Sequence, residues 1–100
     1  MKLFRTKIFK KDYQKLKMTD TQDTKYIKFL SILLDGKGLP LEARDHNLIG
    51  NYSGFKEFHV GGDLMIIYCI ADDILRLTRI GTPFSTFQIT CLMSSIHLSY

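Results

Sequence analysis

The side chains able to move protons or hold a phosphate crowd into one stretch of this 100-residue chain, Asp45 to Phe87. His46 follows Asp45 in a segment punctuated by Gly50 and Ser53. Glu57 and His59 alternate with Phe58 and Val60, so a strand here carries both on one face, about 7 Å apart. A pair at that spacing can flank one substrate atom. Histidine gives or takes a proton near neutral pH, and Glu57 can orient it or act as a base. Asp63 is a third acid/base candidate, and Arg79 offers a planar fork suited to a phosphate. Taken singly these residues are ordinary surface polar groups. Neither GxSxG, a phosphate loop, HExxH nor a paired CxxC is present.

Elements of regular structure must bring these groups together. Leu3–Arg5 reads as a short strand. Phe9, Tyr13 and Leu16 recur at helical spacing, predicting a helix from Thr6 with Lys7, Lys10, Lys11 and Lys17 on its other side. Met18–Gln22 is polar and reads as loop. A second helix is expected from about Asp23 to Leu34, capped by Asp23 or Thr24, burying Tyr26, Ile27, Leu30, Leu33 and Leu34. Leu39–Ser53 reads as irregular. Three strands follow: Phe55–Val60, the apolar run Leu64–Ile70 and Ile74–Ile80, with Arg76 and Arg79 on opposite faces. Turns at Gly61-Gly62-Asp63 and Ala71-Asp72-Asp73 join them. The expected fold class is α+β, two N-terminal helices packed on one face of a small antiparallel sheet. The opposite face is left partly open as a platform for a ligand.

Composition is that of a globular domain, 45% apolar and 24% charged. No apolar run approaches the roughly 20 residues of a membrane span, and Met1–Lys7 has no signal-peptide core, so a cytoplasmic location without membrane contact is expected. Cys69 and Cys91 make no disulfide framework, and Cys69 is expected to be a buried small hydrophobe. The net charge of +4 is uneven. Lys2, Arg5, Lys7, Lys10, Lys11, Lys15 and Lys17 face only Asp12 within residues 1–17, which suits a polyanion or an acidic protein partner.

The ordered set Asp45-His46-Asn47-Leu48-Ile49-Gly50, Gly54-Phe55-Lys56-Glu57-Phe58-His59-Val60, Asp63-Leu64-Met65-Ile66-Ile67-Tyr68 and Leu77-Thr78-Arg79-Ile80-Gly81-Thr82 resembles the YafQ-like branch of the RelE/ParE toxin superfamily. The likeness spans roughly residues 3–87, and residues 1–87 are taken as the toxin domain, with 88–100 as a C-terminal extension of unassigned role. It implies a RelE-like toxin fold and a ribosome-dependent endoribonuclease of a type II toxin–antitoxin pair. Such enzymes cut mRNA without metal or other cofactor, by 2′-OH attack on the adjacent phosphodiester. The implied partners are a cognate antitoxin, mRNA on the ribosome and ribosomal RNA. By position in the pattern, His46, Glu57, His59, Asp63 and Arg79 become the catalytic set. Phe87, Lys56, Lys10 and Lys11 become RNA contacts, Phe87 by stacking on a base. The family's histidine after Gly-Thr is Pro83 here, which cannot move a proton, so a weakened nuclease is expected. The alternatives are a non-enzymatic ParE-like gyrase inhibitor and a degenerate toxin that only binds its antitoxin.

Overall fold

The computed structural model describes residues 1–50 and 53–82. Pro83, Phe87 and the extension 88–100 lie outside the described residues. The elements are β1 (Lys2–Arg5), α1 (Lys7–Gln14), α2 (Asp20–Leu34), a 3-10 turn (Leu41–Ala43), β2 (His46–Asn47), β3 (Lys56–His59), β4 (Met65–Ala71) and β5 (Ile74–Gly81). They form one five-stranded sheet in the order β1-β5-β4-β3-β2. The α+β reading holds, but the sheet is mixed, because β1 runs parallel to β5 while the other pairs are antiparallel.

Thr6 starts α1. Its hydroxyl oxygen accepts from the Phe9 N–H at 3.0 Å, while the hydroxyl donates to the Thr78 carbonyl at 2.9 Å. One side chain thus caps the helix and ties it to β5. The second helix begins earlier than expected. Thr19 and Gln22 form a reciprocal capping box, each side chain bonding the other's backbone N–H at 3.1 Å. Asp20 and Asp23 then complement the positive end of the helix. The polar run read as loop is therefore a helix start. Gln22 also donates to the Gly61 carbonyl at 3.0 Å, pinning α2 to the β3–β4 turn. Gly61 and Gly62 take positive φ of 115° and 57° there, as the turn demands.

The buried face of α2 is Tyr26, Phe29, Leu30 and Leu33, whereas Ile27 is 65% exposed. Phe29 replaces the expected Ile27 because positions 26, 29, 30 and 33 keep strict helical phase. Phe29 meets Phe58 edge-on, and Phe58 meets Tyr68 likewise. These rings, with Phe9, Val60, Ile66, Leu75 and Leu77, make the core between the helices and the sheet.

Between Ile67↔Arg79 and Tyr68↔Leu77 the register slips, so Thr78 is an extra residue on β5. This bulge puts Arg76, which pairs with Cys69, on the same face as Arg79, which pairs with Ile67. Strict alternation had set the two arginines on opposite faces. Cys69 lies on that open face too, half-exposed rather than buried. Beyond the bulge, α1 lies along the edge of β5. Asp12 accepts from the Ile80 N–H at 3.3 Å and from Arg79 Nε and Nη2 at 2.7 and 3.1 Å. The helix thereby covers a strand edge that would otherwise be bare.

Two stability effects are expected. The buried Thr78 hydroxyl has no hydrogen-bond partner among the described residues, so Thr78→Val should stabilise the fold by about 1 kcal/mol. Asp12→Ala strands a largely buried guanidinium and should cost roughly 3 kcal/mol, most of it regained when combined with Arg79→Met. Urea unfolding midpoints at constant m-value read both.

Candidate active site

The open face is built by register. His46 pairs with Glu57, Glu57 with Ile67 and Ile67 with Arg79, so these four stand in one row across β2, β3, β4 and β5. His59 stands in the next row, paired with Met65. Ile67 is buried in the middle of the row, packed against Leu48 and Phe55. The floor between Glu57 and Arg79 is therefore apolar.

The loop expected to be irregular carries the essential support. It contains the 3-10 turn, with Ala43 buried, and then β2. Arg44 ends the turn in the left-handed region at φ 49°. Asp45 next accepts from the Tyr68 hydroxyl at 2.5 Å and from Lys56 Nζ at 3.0 Å. Burial, and the bond to Asp45, hold the Tyr68 phenol well above its ordinary pKa, so it stays a donor. Asp45 thus anchors the loop to the core and delivers His46 to the edge of β3.

Glu57 is enclosed, and both histidines address the same carboxylate oxygen. Its Oε2 lies 3.1 Å from His46 Nε2 and 4.0 Å from His59 Nε2. The two rings are near-parallel, 24° apart in plane, with centroids separated by 6.4 Å. Their partners assign their protons. His46 Nδ1 lies 2.7 Å from the Arg44 carbonyl. The carbonyl only accepts, so Nδ1 of His46 carries a proton, and Nε2 faces the Glu57 carboxylate. His59 is the reverse. Its Nδ1 meets Arg44 Nη2 at 3.1 Å. A guanidinium only donates, so Nδ1 carries the lone pair and the proton sits on Nε2. Burial, then the Arg44 charge, then His46, push the His59 pKa below its usual 6.5. One carboxylate is thus flanked by a half-exposed ring whose Nδ1 is tied to a carbonyl and a neutral, mostly covered ring.

The other expected site residues are dispersed. Arg79 belongs to the row, but its guanidinium is engaged by Asp12 of α1 rather than turned to Glu57 or His59. The expectation of a cluster wholly away from the helices is corrected at this residue. Asp63 is exposed in the turn between β3 and β4. Lys56 shares the Phe58 side of β3, opposite Glu57 and His59. Its ammonium pairs with Asp45 and lies 6.0 Å from the Tyr68 ring centroid. Lys10 and Lys11 are exposed on α1 beside Asp12. Arg44 went unnoticed in the sequence, although its backbone and its side chain each touch a histidine. Its place next to the Asp-His pair was the one available signal. Among the described residues no group of three or more His, Cys, Asp or Glu side chains is arranged to hold a metal ion, and no helix is long and apolar enough to cross a membrane.

The profile of the family described as "Bacterial toxin of type II toxin-antitoxin system, YafQ" matches residues 1–88. The chain belongs to the YafQ toxin family. It is 37% identical over 75 residues to the mRNA interferase toxin YafQ of Escherichia coli, covering 73% of this chain and 82% of that protein. Its fold is similar to that of a copper-bound mutant toxin from Helicobacter pylori, with a TM-score of 0.76, 30% identity, and coverage of 84% and 96% of the two chains. It is also similar to a chain of the Escherichia coli DinJ-YafQ complex, with a TM-score of 0.74, 27% identity, and coverage of 85% and 96%. The α+β fold read from the sequence is thus that of YafQ structures, and the resemblance read from residues 3–87 is a family membership.

The site makes a pH dependence of stability that can be signed. Because the folded pKa of His59 is lowered, the unfolded chain binds more protons as pH falls through 6.5. His59 therefore adds full stability above 6.5 and progressively less as pH drops toward its folded midpoint. Unfolding free energies of the parent should fall on acidification more steeply than those of His59→Gln. Equal slopes would contradict the assignment.

Proposed function

We propose that this YafQ-family chain is an mRNA interferase that cuts message on the ribosome by metal-independent acid/base catalysis. The observation that carries the reading is the shared carboxylate: Glu57 Oε2 between His46 and His59, the latter with its proton on Nε2. The mRNA interferase relatives in Escherichia coli set the reaction class.

In the step proposed, Glu57 takes the proton of a ribose 2′-OH. The 2′-oxygen bonds to the adjacent phosphorus as the bond to the 5′-oxygen breaks, and the leaving 5′-oxygen takes a proton from His46. The products are a 2′,3′-cyclic phosphate and a 5′-hydroxyl. Glu57 is then protonated and His46 is one proton short. At 3.1 Å the first can return the proton to the second, so the site resets without an outside donor. His59 contributes its Nε2–H as a donor to charge developing on the phosphate. Pro83 offers no proton, which leaves this work to His46.

Arg79 beyond Ile67, and Asp63 at the turn, are proposed to meet the phosphate and flanking ribose. Lys10 and Lys11 are proposed to face ribosomal RNA phosphates, and Phe87 to stack on a base. Lys56, tied to Asp45, supports the loop more directly than it could meet RNA. The Escherichia coli complex pairs YafQ with DinJ, and a cognate antitoxin is proposed as a partner here, in the cytoplasm.

Primer extension on translated mRNA, set beside a DNA gyrase supercoiling assay, tests the reading. Cleavage of translated mRNA that is undiminished after the toxin alone has been treated with EDTA and exchanged back into assay buffer, with supercoiling untouched, is the expected outcome. Glu57→Gln should lower cleavage on the order of 10²–10⁴-fold while the fold is kept. Inhibited supercoiling without cleavage would favour the binding-only reading instead.

A further inference from the structure

Resting on the acid/base reading of Glu57, we propose that Arg44 is a positioning residue that holds His59 as the neutral ring with its proton on Nε2, and so keeps Glu57 available as a base. Three contacts carry this. Arg44 Nη2 lies 3.1 Å from His59 Nδ1, which forces the lone pair to that nitrogen. His59 Nε2 lies 4.0 Å from Glu57 Oε2. The Arg44 carbonyl lies 2.7 Å from His46 Nδ1, so the same residue holds a proton on that nitrogen of the other ring.

The consequence follows from charge. Were His59 to protonate, Glu57 would gain an imidazolium neighbour in addition to its contact with His46, and a carboxylate so paired is a poorer base. Arg44 opposes this in two ways. Its fixed charge disfavours a second cation at 3.1 Å, and its donor occupies the nitrogen that a proton must reach. The charged and titratable groups facing His59 are Arg44, Glu57 and His46. Only Arg44 among them keeps its charge at every working pH.

Arg44 can do this because of the backbone. As the αL residue closing the 3-10 turn, it turns its carbonyl toward His46 and its side chain over β3. Asp45, one residue on, locks the segment to Tyr68 and Lys56. The left-handed region is uncommon for a residue with a side chain, and Arg44 occupies it at φ 49°.

The test compares Arg44→Met and Arg44→Lys with the parent. Ring ¹⁵N shifts should show His59 Nδ1 unprotonated in the parent and in Arg44→Lys. In Arg44→Met the titration midpoint of His59 should move up toward 6.5. In the primer-extension assay the Arg44→Met defect should grow from small at pH 8 to about threefold to fourfold at pH 6, with Arg44→Lys largely rescued. A merely structural loss would lower activity equally at both pH values. A protonated Nδ1 in the parent, an unmoved midpoint in Arg44→Met, or a defect independent of pH would each overturn the proposal. A parent that does not cleave translated mRNA removes the proposed function, yet the ring shifts still decide the role of Arg44 on His59.

Discussion

The hydrogen bond from Tyr68 to Asp45 is the constraint on which the site depends. Tyr68 is fully buried at the centre of the sheet, wedged against Phe58. A buried hydroxyl must find a partner, and the partner it finds is on a loop 23 residues earlier in the chain. That choice fixes where the loop crosses β3. Arg44 and His46 sit on either side of Asp45, so one bond positions both. Lys56 completes the arrangement by balancing the Asp45 charge. The core therefore reaches the open face through a single carboxylate, and the strongest packing in the domain decides the geometry of its chemistry.

The bulge at Thr78 is the second determinant. Without it Arg79 would follow strict alternation from Arg76 and point into the helix side. With it Arg79 joins the row of His46 and Glu57. The insertion leaves the Thr78 hydroxyl buried and unmatched among the described residues, while its carbonyl is taken by Thr6. A local cost is thus held in place by the residue that also starts α1. Strain of this kind gathers where side chains must be re-aimed.

Much of the fold was legible because it is periodic. Phe58 and Val60 turn inward and Glu57 and His59 outward as alternation requires, and the Gly61-Gly62-Asp63 and Ala71-Asp72-Asp73 turns stand where turn chemistry put them. The Thr19-Gln22 capping box was written in the sequence, but its polar composition was read as loop. The bulge was not legible, since no residue type at Thr78 marks an extra position. Nor was β2, whose two residues become a strand only through pairing with Lys56 and Glu57. The histidines and Glu57 were readable as a strand pattern and a family pattern. Arg44 was not, because its role lies in an αL backbone and a contact 15 residues away.

Carboxylates on a face proposed to meet RNA should repel it, and two pairings bear on that. Glu57 is matched by His46, and Asp12 by Arg79. Each pairing takes up a group that a phosphate would otherwise meet. The geometry limits the loss. Asp12 engages Arg79 only along the Nε–Nη2 edge, and a guanidinium has a second edge with further donors. Held by Asp12, the largely buried Arg79 side chain has little freedom left to lose on binding. His46 is likewise held at Nδ1 by a carbonyl and at Nε2 by Glu57. At both ends of the row, then, a backbone or carboxylate partner holds the side chain in place. Ile67 keeps the space between them apolar, which strengthens each interaction made across it. An ion pair that looks like neutralisation is, at this face, what stiffens the donors.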